Sequence, residues 1–146
     1  MRNTVLSQTI PDTLLDSLLA NEFAGALVQP FVNDVDPGVT AVLADFTAPA
    51  FTGGAAKAVG TWGAVDVTAD NRYQSIAPTL QWQNTAGSEE TVYGVFFREA
   101  GPGAFLGYAR LEVPLAMAAG GNVLAIVPRL SIQRALPAGS FVQVDE

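Results

Sequence analysis

The 146-residue sequence contains no cysteine and no histidine, and its only lysine is Lys57. Without thiols there is no disulfide, no thiol nucleophile and no Cys/His zinc site, and without imidazole there is no Ser-His-Asp relay. Carboxylate or metal-carboxylate chemistry is all that is left for a catalyst. Charge is also scarce, at 14% of residues, against about 25% in an average globular chain. So sparse a set of charges points to a surface partly covered by neighbours in a larger assembly, with a compact Ala- and Gly-rich monomer as the plainer alternative. The balance is acidic, net −7, and the arginines are scattered. Both facts argue against nucleic acid as a partner, because phosphate affinity needs clustered cations that release counterions.

Long apolar runs are missing too. Apolar residues make up 49% and mean hydropathy is +0.29, yet no run reaches the roughly 18 residues of a membrane span. The nearest, residues 113–128, is broken by Gly120, Gly121, Asn122 and two prolines. A soluble chain with no membrane partner is the expectation. The opening MRNTVLSQTIPD lacks the apolar core of a secretory signal, so the chain is expected to be made in the cytoplasm or to have been trimmed. Its length fits one core, organised as an N-terminal arm and helix, residues 1–23, and a β-sandwich, residues 24–146.

What is present reads in order. Residues 4–10 read as an extended arm. Pro11 opens a predicted helix over residues 12–23, with Leu14, Leu15, Leu18 and Leu19 in one stripe and Asp12 and Asp16 near the positive end. A helix this short needs something to dock on, either its own sandwich or a neighbouring subunit. Residues 24–32 (AGALVQPFV) read as a strand that Pro30 pushes toward a sheet edge. Residues 33–51 (NDVDPGVTAVLADFTAPAF) hold a turn, two aromatic anchors and three acids. Asp36-Pro37-Gly38 has type II turn chemistry, and Val39, Val42, Leu43 and Phe46 recur at helical spacing until Pro49, which predicts a short helix or coiled loop.

From residue 55 the pattern becomes short β segments with turn signals every eight to twelve residues. Val59 and Trp62 surround Gly60 and Gly63, a bulge or bend, and residues 69–71 turn the chain. Residues 74–83 alternate as one strand, with Ile76, Pro78, Leu80 and Trp82 on the inner face and Ser75, Thr79, Gln81 and Gln83 opposite. TVYGVFFRE, residues 91–99, is apolar on both faces and reads as central. Ala100-Gly101-Pro102-Gly103 links it by a hairpin to residues 104–113, with Phe105, Ala109, Leu111 and Val113 on one face and Tyr108, Arg110 and Glu112 on the other. After a turn at residues 119–122 comes a strand over residues 123–133 with Leu124, Ile126, Leu130 and Ile132 inward, then a short strand over residues 140–144. The fold class this predicts is all-β, an antiparallel β-sandwich of jelly-roll type, with a short N-terminal helix and a short helix or coiled loop near residues 39–47.

Tests for chemistry return no catalytic, cofactor-binding or metal-binding set. Asp34-x-Asp36-x-Gly38 with Asp45 fails as a calcium loop, because Val39 stands where glycine is needed and Asp45 is too short for the usual bidentate glutamate. An irregular Ca²⁺ site at Asp34, Asp36 and Asp45 stays as an alternative to an Asx turn followed by a helix. Glu89, Glu90, Glu99 and Glu112 could in principle supply a glycosidase pair. Nothing pairs them, however: Glu89 and Glu90 read as solvating loop charges, and Glu99 and Glu112 as hairpin partners of Arg98 or Arg110. Trp62, Trp82, Tyr73 and Tyr93 would serve as a sugar-stacking platform if exposed, or as core if not. No enzyme and no cofactor are expected.

NDVDPGVTAVLADFTAPAFTG, then VGTWGAV, TVYGVFFRE, FLGYARLEVPLAM and GGNVLAIVPRLSI together resemble a group of small proteins from tailed-phage structural gene clusters. The resemblance covers residues 31–132. It implies a virion structural protein on the capsid exterior, a head decoration or cement protein of jelly-roll type, with the major capsid protein as partner and a homotrimer as its form. By the same resemblance the arm of residues 1–23 would contact the capsid or exchange between subunits, although it lies outside the matching region. The competing class is a tail-associated or lectin-like module binding surface glycans.

Overall fold

Residues 2–3, 9–69, 72–101, 103–133 and 143–144 are described in the computed structural model. In chain order they form β1 (Arg2–Asn3), α1 (Thr9–Asn21), β2 (Leu27–Phe31), two 3-10 turns (Gly38–Thr40 and Leu43–Asp45), β3 (Lys57–Ala58), β4 (Asp66–Val67), β5 (Arg72–Ile76), β6 (Leu80–Gln83), β7 (Glu90–Arg98), β8 (Phe105–Met117), β9 (Val123–Ile126), β10 (Arg129–Gln133) and β11 (Gln143–Val144). The described residues are mostly β with one α-helix, and the strands pair antiparallel in sheets ordered β3-β2-β7-β8, β10-β5-β4, β6-β9 and β1-β11. The predicted arm falls partly outside the described residues, as do Asp70, Asn71, Pro102 and most of the last predicted strand.

In the four-stranded sheet β7 is central, paired with β2 and β8, as its two apolar faces predict. Pro30 fits beside it because β3 flanks β2 only at Leu27 and Val28. Val32 N–H points to that same side, toward Thr47 O at 2.9 Å. Backbone donors alternate along a strand, so position 30 also faces the side where no strand partner asks for an N–H.

Residues 72–83 are two strands and not one. β5 pairs with β10 and β4, whereas β6 pairs with β9. The two halves of this long hairpin bend together at prolines, Pro78 on one side and Pro128 on the other, and Ala77 N–H donates to Pro128 O across the bend (2.9 Å). Ile76 pairs with Arg129 and Leu80 with Ile126, so the β5–β6 side carries one residue more than its partner. One extra residue inverts the alternation. Before the bend Tyr73, Ser75 and Ala77 point inward; after it Trp82 does, with Leu80 half-buried. The predicted inner positions of Ile76 and Pro78 are therefore outer ones: Ile76 is 38% exposed and Ser75 only 1%.

One face of the four-stranded sheet packs on β6–β9, burying Val28, Val92, Val95, Met117, Trp82 and Leu124 with Phe51 and Val59. Trp82 is placed by its indole N–H, which donates to Ala55 O at 2.8 Å. α1 starts three residues earlier than predicted, at Thr9. Pro11 sits in its first turn, where a missing N–H costs nothing. Leu15 and Leu19 bury against Tyr73, Val65, Leu130 and Ile132, so the helix docks on its own chain at β5 and β10. Its last turn closes with Glu22 and Phe23 N–H on Leu18 O, and Gly25 at φ +64° turns the chain into β2.

Candidate functional site

Residues 33–46 lie across the other face of the four-stranded sheet, and the 33–51 segment ends at Phe51 in the main core. Their anchor is Phe46, 8% exposed, whose ring sits 4.9 to 5.5 Å from those of Phe31, Phe96, Phe105 and Tyr108. Truncating such a ring typically costs about 3–5 kcal/mol. Phe105 and Tyr108 are three apart and in a regular strand would face opposite ways, as the sequence predicts. They share a face because Phe97 pairs with Gly107 but Arg98 with Phe105, which leaves Leu106 as an extra residue. A second irregularity sets Tyr93 of β7 against residues 111–114 of β8 and turns Val113 out to 74% exposure. The predicted face of Phe105, Ala109, Leu111 and Val113 is split by these two bulges.

Polar side chains then fix the loop in place. Asn33 closes it: its Nδ2–H donates to Asp45 O (2.7 Å) and its Oδ1 accepts from Thr47 N–H (2.8 Å). Asp45 Oδ2 accepts from Val42 N–H at 2.8 Å, which holds the second 3-10 turn. Tyr108 O–H donates to Asp36 Oδ1 (2.5 Å) and its oxygen accepts from Gly38 N–H (2.8 Å). Arg110 reaches Asp34 Oδ1 (2.7 Å) and Val35 O (2.9 Å). Glu90 Oε2 accepts from Ala50 and Phe51 N–H, at 2.8 and 3.1 Å. Donating to the Asp36 carboxylate holds the Tyr108 phenol above its ordinary value; burial and the Asp36 charge add to this, while Gly38 N–H and Arg110 pull the other way.

With both ends pinned, the tip presents Val39, Val42 and Leu43 to solvent, Val39 fully. Of the four residues predicted at helical spacing only Phe46 is buried, because residues 38–45 form two separate 3-10 turns and not one amphipathic helix. The turn at Asp36-Pro37-Gly38 is not type II either: Pro37 sits at φ −73°, ψ −9°, in the α region, where type II needs ψ near +120°. The positive φ is at Gly38, as predicted, at 70°.

The three aspartates do not converge. Asp34 is bound to Arg110, Asp36 to Tyr108 and Asp45 to a backbone N–H, and among the described residues no group of three acidic side chains could hold a metal ion. The glutamates are also apart in role: Glu90 ties the 33–51 segment to β7, where sequence had made it a loop charge, and Arg110 pairs with Asp34 instead of Glu112. The Glu22 carboxyl is pushed above its ordinary value, first by hydrogen bonding to Glu99 and then by its charge. This pair stands at the surface between the end of α1 and the β7–β8 loop. The four candidate stacking aromatics are scattered. Trp82 lies in the main core and Tyr73 under α1, Tyr93 packs by Phe31, and half-buried Trp62 donates its indole N–H to Phe23 O (3.0 Å).

Asn33, Asp45 and Glu90 are the residues that sequence reasoning missed as loop fasteners, and the signal available was only that Asn and Asp favour local backbone bonds. Among the described residues, no helix is long and apolar enough to cross a membrane. No protein-family model, curated protein or solved structure matches the chain.

Proposed function

We propose that the chain is a structural virion protein of a tailed phage, which decorates and stabilises the capsid by binding the lattice of the major capsid protein. The observation that carries this reading is the fastened loop with Val39, Val42 and Leu43 turned to solvent. An apolar tip held by fixed hydrogen bonds loses little conformational entropy on docking, and docking removes its apolar surface from water. Charge at only 14% of residues supports the same reading, since a surface meant to be covered needs few charges. The sequence resemblance to phage structural proteins gives the partner its identity. A jelly-roll course of the strands, a homotrimer, a place on the capsid exterior and the absence of catalysis all belong to this reading.

The test is the light-scattering mass of the purified chain, followed by electron microscopy after mixing with undecorated capsids. The expected result is an oligomer that appears as regular density on the shell. Val39→Asp with Leu43→Asp should abolish that density and leave the urea midpoint unchanged, both side chains being exposed. A stable monomer indifferent to capsids would sink the reading.

A further inference from the structure

β8 ends the four-stranded sheet and β10 ends the β10-β5-β4 sheet, and β8 and the β9–β10 run flank one groove of about 440 Å³. Among the described residues β8 pairs only with β7, and no other backbone group bonds to the backbone of residues 105–113. An open edge of this kind is a row of unpaired N–H and C=O groups that templates a further strand. Proteins usually blunt such edges with lysine, proline or bulges. On β8, Pro114 and the large irregularity lie at the far end, at residues 111–114. Residues 105–110 carry neither proline nor lysine, and only the single extra residue at Leu106 disturbs them.

The groove beside this edge is apolar below and cationic at the rim. Trp62, Val95 and Phe97 form its floor, with Leu106 on one wall and Ile126 and Leu130 on the other. Of its lining residues only Arg110 and Arg129 are charged, in a chain of net charge −7, and Arg110 is already paired with Asp34. Arg129 is exposed and has no ion pair among the described residues.

We infer that this groove receives an extended segment of a partner polypeptide, apolar at alternate positions and carrying a carboxylate, which adds to the free edge of β8 as an extra strand. The backbone ladder supplies affinity, alternate apolar side chains reach the floor, and the carboxylate meets Arg129 at the rim. A lysine or arginine in that position meets like charge. This groove is distinct from the loop that carries the capsid reading, and either proposal stands if the other fails.

The test uses the full chain and a synthetic peptide, acetyl-Val-Thr-Val-Glu-Val-Thr-Val-amide, with its Glu→Lys counterpart. Binding the glutamate peptide should slow hydrogen exchange at residues 105–110, and the lysine peptide should bind roughly tenfold more weakly or worse. Arg129→Glu should invert that preference. N-methylating alternate peptide amides should abolish binding in one phase and spare it in the other, because only one edge of a strand faces β8; this arm decides the matter even if the variant fails to fold. Equal affinity for the two peptides, equal effects of the two methylation phases, or no protection at β8 would overturn the inference. Protection that rises with protein concentration alone would also overturn it, by assigning the edge to a second copy of the chain.

Discussion

Tyr108 holds the 33–51 loop through one oxygen that both donates to Asp36 and accepts from Gly38 N–H. The donated bond exists only while the phenol is protonated, which is why the folded phenol titrates above its ordinary value of 10.0. A group whose folded value is raised contributes stability that is whole below the unfolded value and is lost as pH rises through the folded one. Tyr108→Phe should therefore be less stable than the parent chain at neutral pH, and the gap should close as pH passes above 10.0. Urea midpoints of the two proteins across that range measure it, and taking their difference removes the alkaline effects common to both. A gap that held constant or widened with alkali would mean that the Asp36 bond contributes nothing. Glu22 carries the same sign for a like reason: hydrogen bonding to Glu99, and then the charge of Glu99, raise its carboxyl, so its contribution is present in acid and fades toward neutral pH.

Among the elements, β7 and β8 set the geometry on which the loop rests, and Gly94 sits where they come closest to Phe31. A Cβ built at Gly94 would meet the Phe31 ring at 2.7 Å and collide with Ala109 O across the strand pair. Two rigid neighbours leave no cheap relaxation, so Gly94→Ala should cost about 1–3 kcal/mol or more by overpacking. Gly101→Ala, with open space around it, should cost only the strain of its positive φ. Chemical denaturation of both variants checks the contrast, and equal losses would show that the close approach is softer than it looks. The same strands explain what the sequence made legible. Central β7, the break at residues 100–103 and the buried Leu15 and Leu19 of α1 were readable because turn residues and periodicity are local signals. The inversions at Leu106, Tyr93 and Pro78–Thr79 were hidden, since a bulge is one residue counted against a partner strand that the sequence does not name. The loop fasteners were hidden for a related reason: Asn33 acts over 12 and 14 residues and Glu90 over 39 and 40.

At the scale of the molecule, the question is whether the N-terminal helix belongs to the fold or to an assembly. Leu15 and Leu19 are fully or nearly buried on Tyr73, Leu130 and Ile132, so removing residues 1–22 strips the cover from β5 and β10 whatever else it does. Hydrogen exchange on the truncated chain should show β5 and β10 losing protection while β2 and β7 keep theirs, because the latter pack in a separate cluster. Loss of capsid attachment on that deletion would then have two possible causes, and point changes separate them. Leu19→Ala should cost about 2–5 kcal/mol through the cavity it leaves. Ser17→Arg and Ala20→Arg, both at exposed positions, should leave stability within about 0.5 kcal/mol of the parent. If the helix serves only its own sheet, the two arginine variants should match the parent in the capsid-mixing assay, which is the outcome expected from a stripe already docked. Attachment lost with stability intact would instead place the outer face of α1 in a contact between subunits or with the shell.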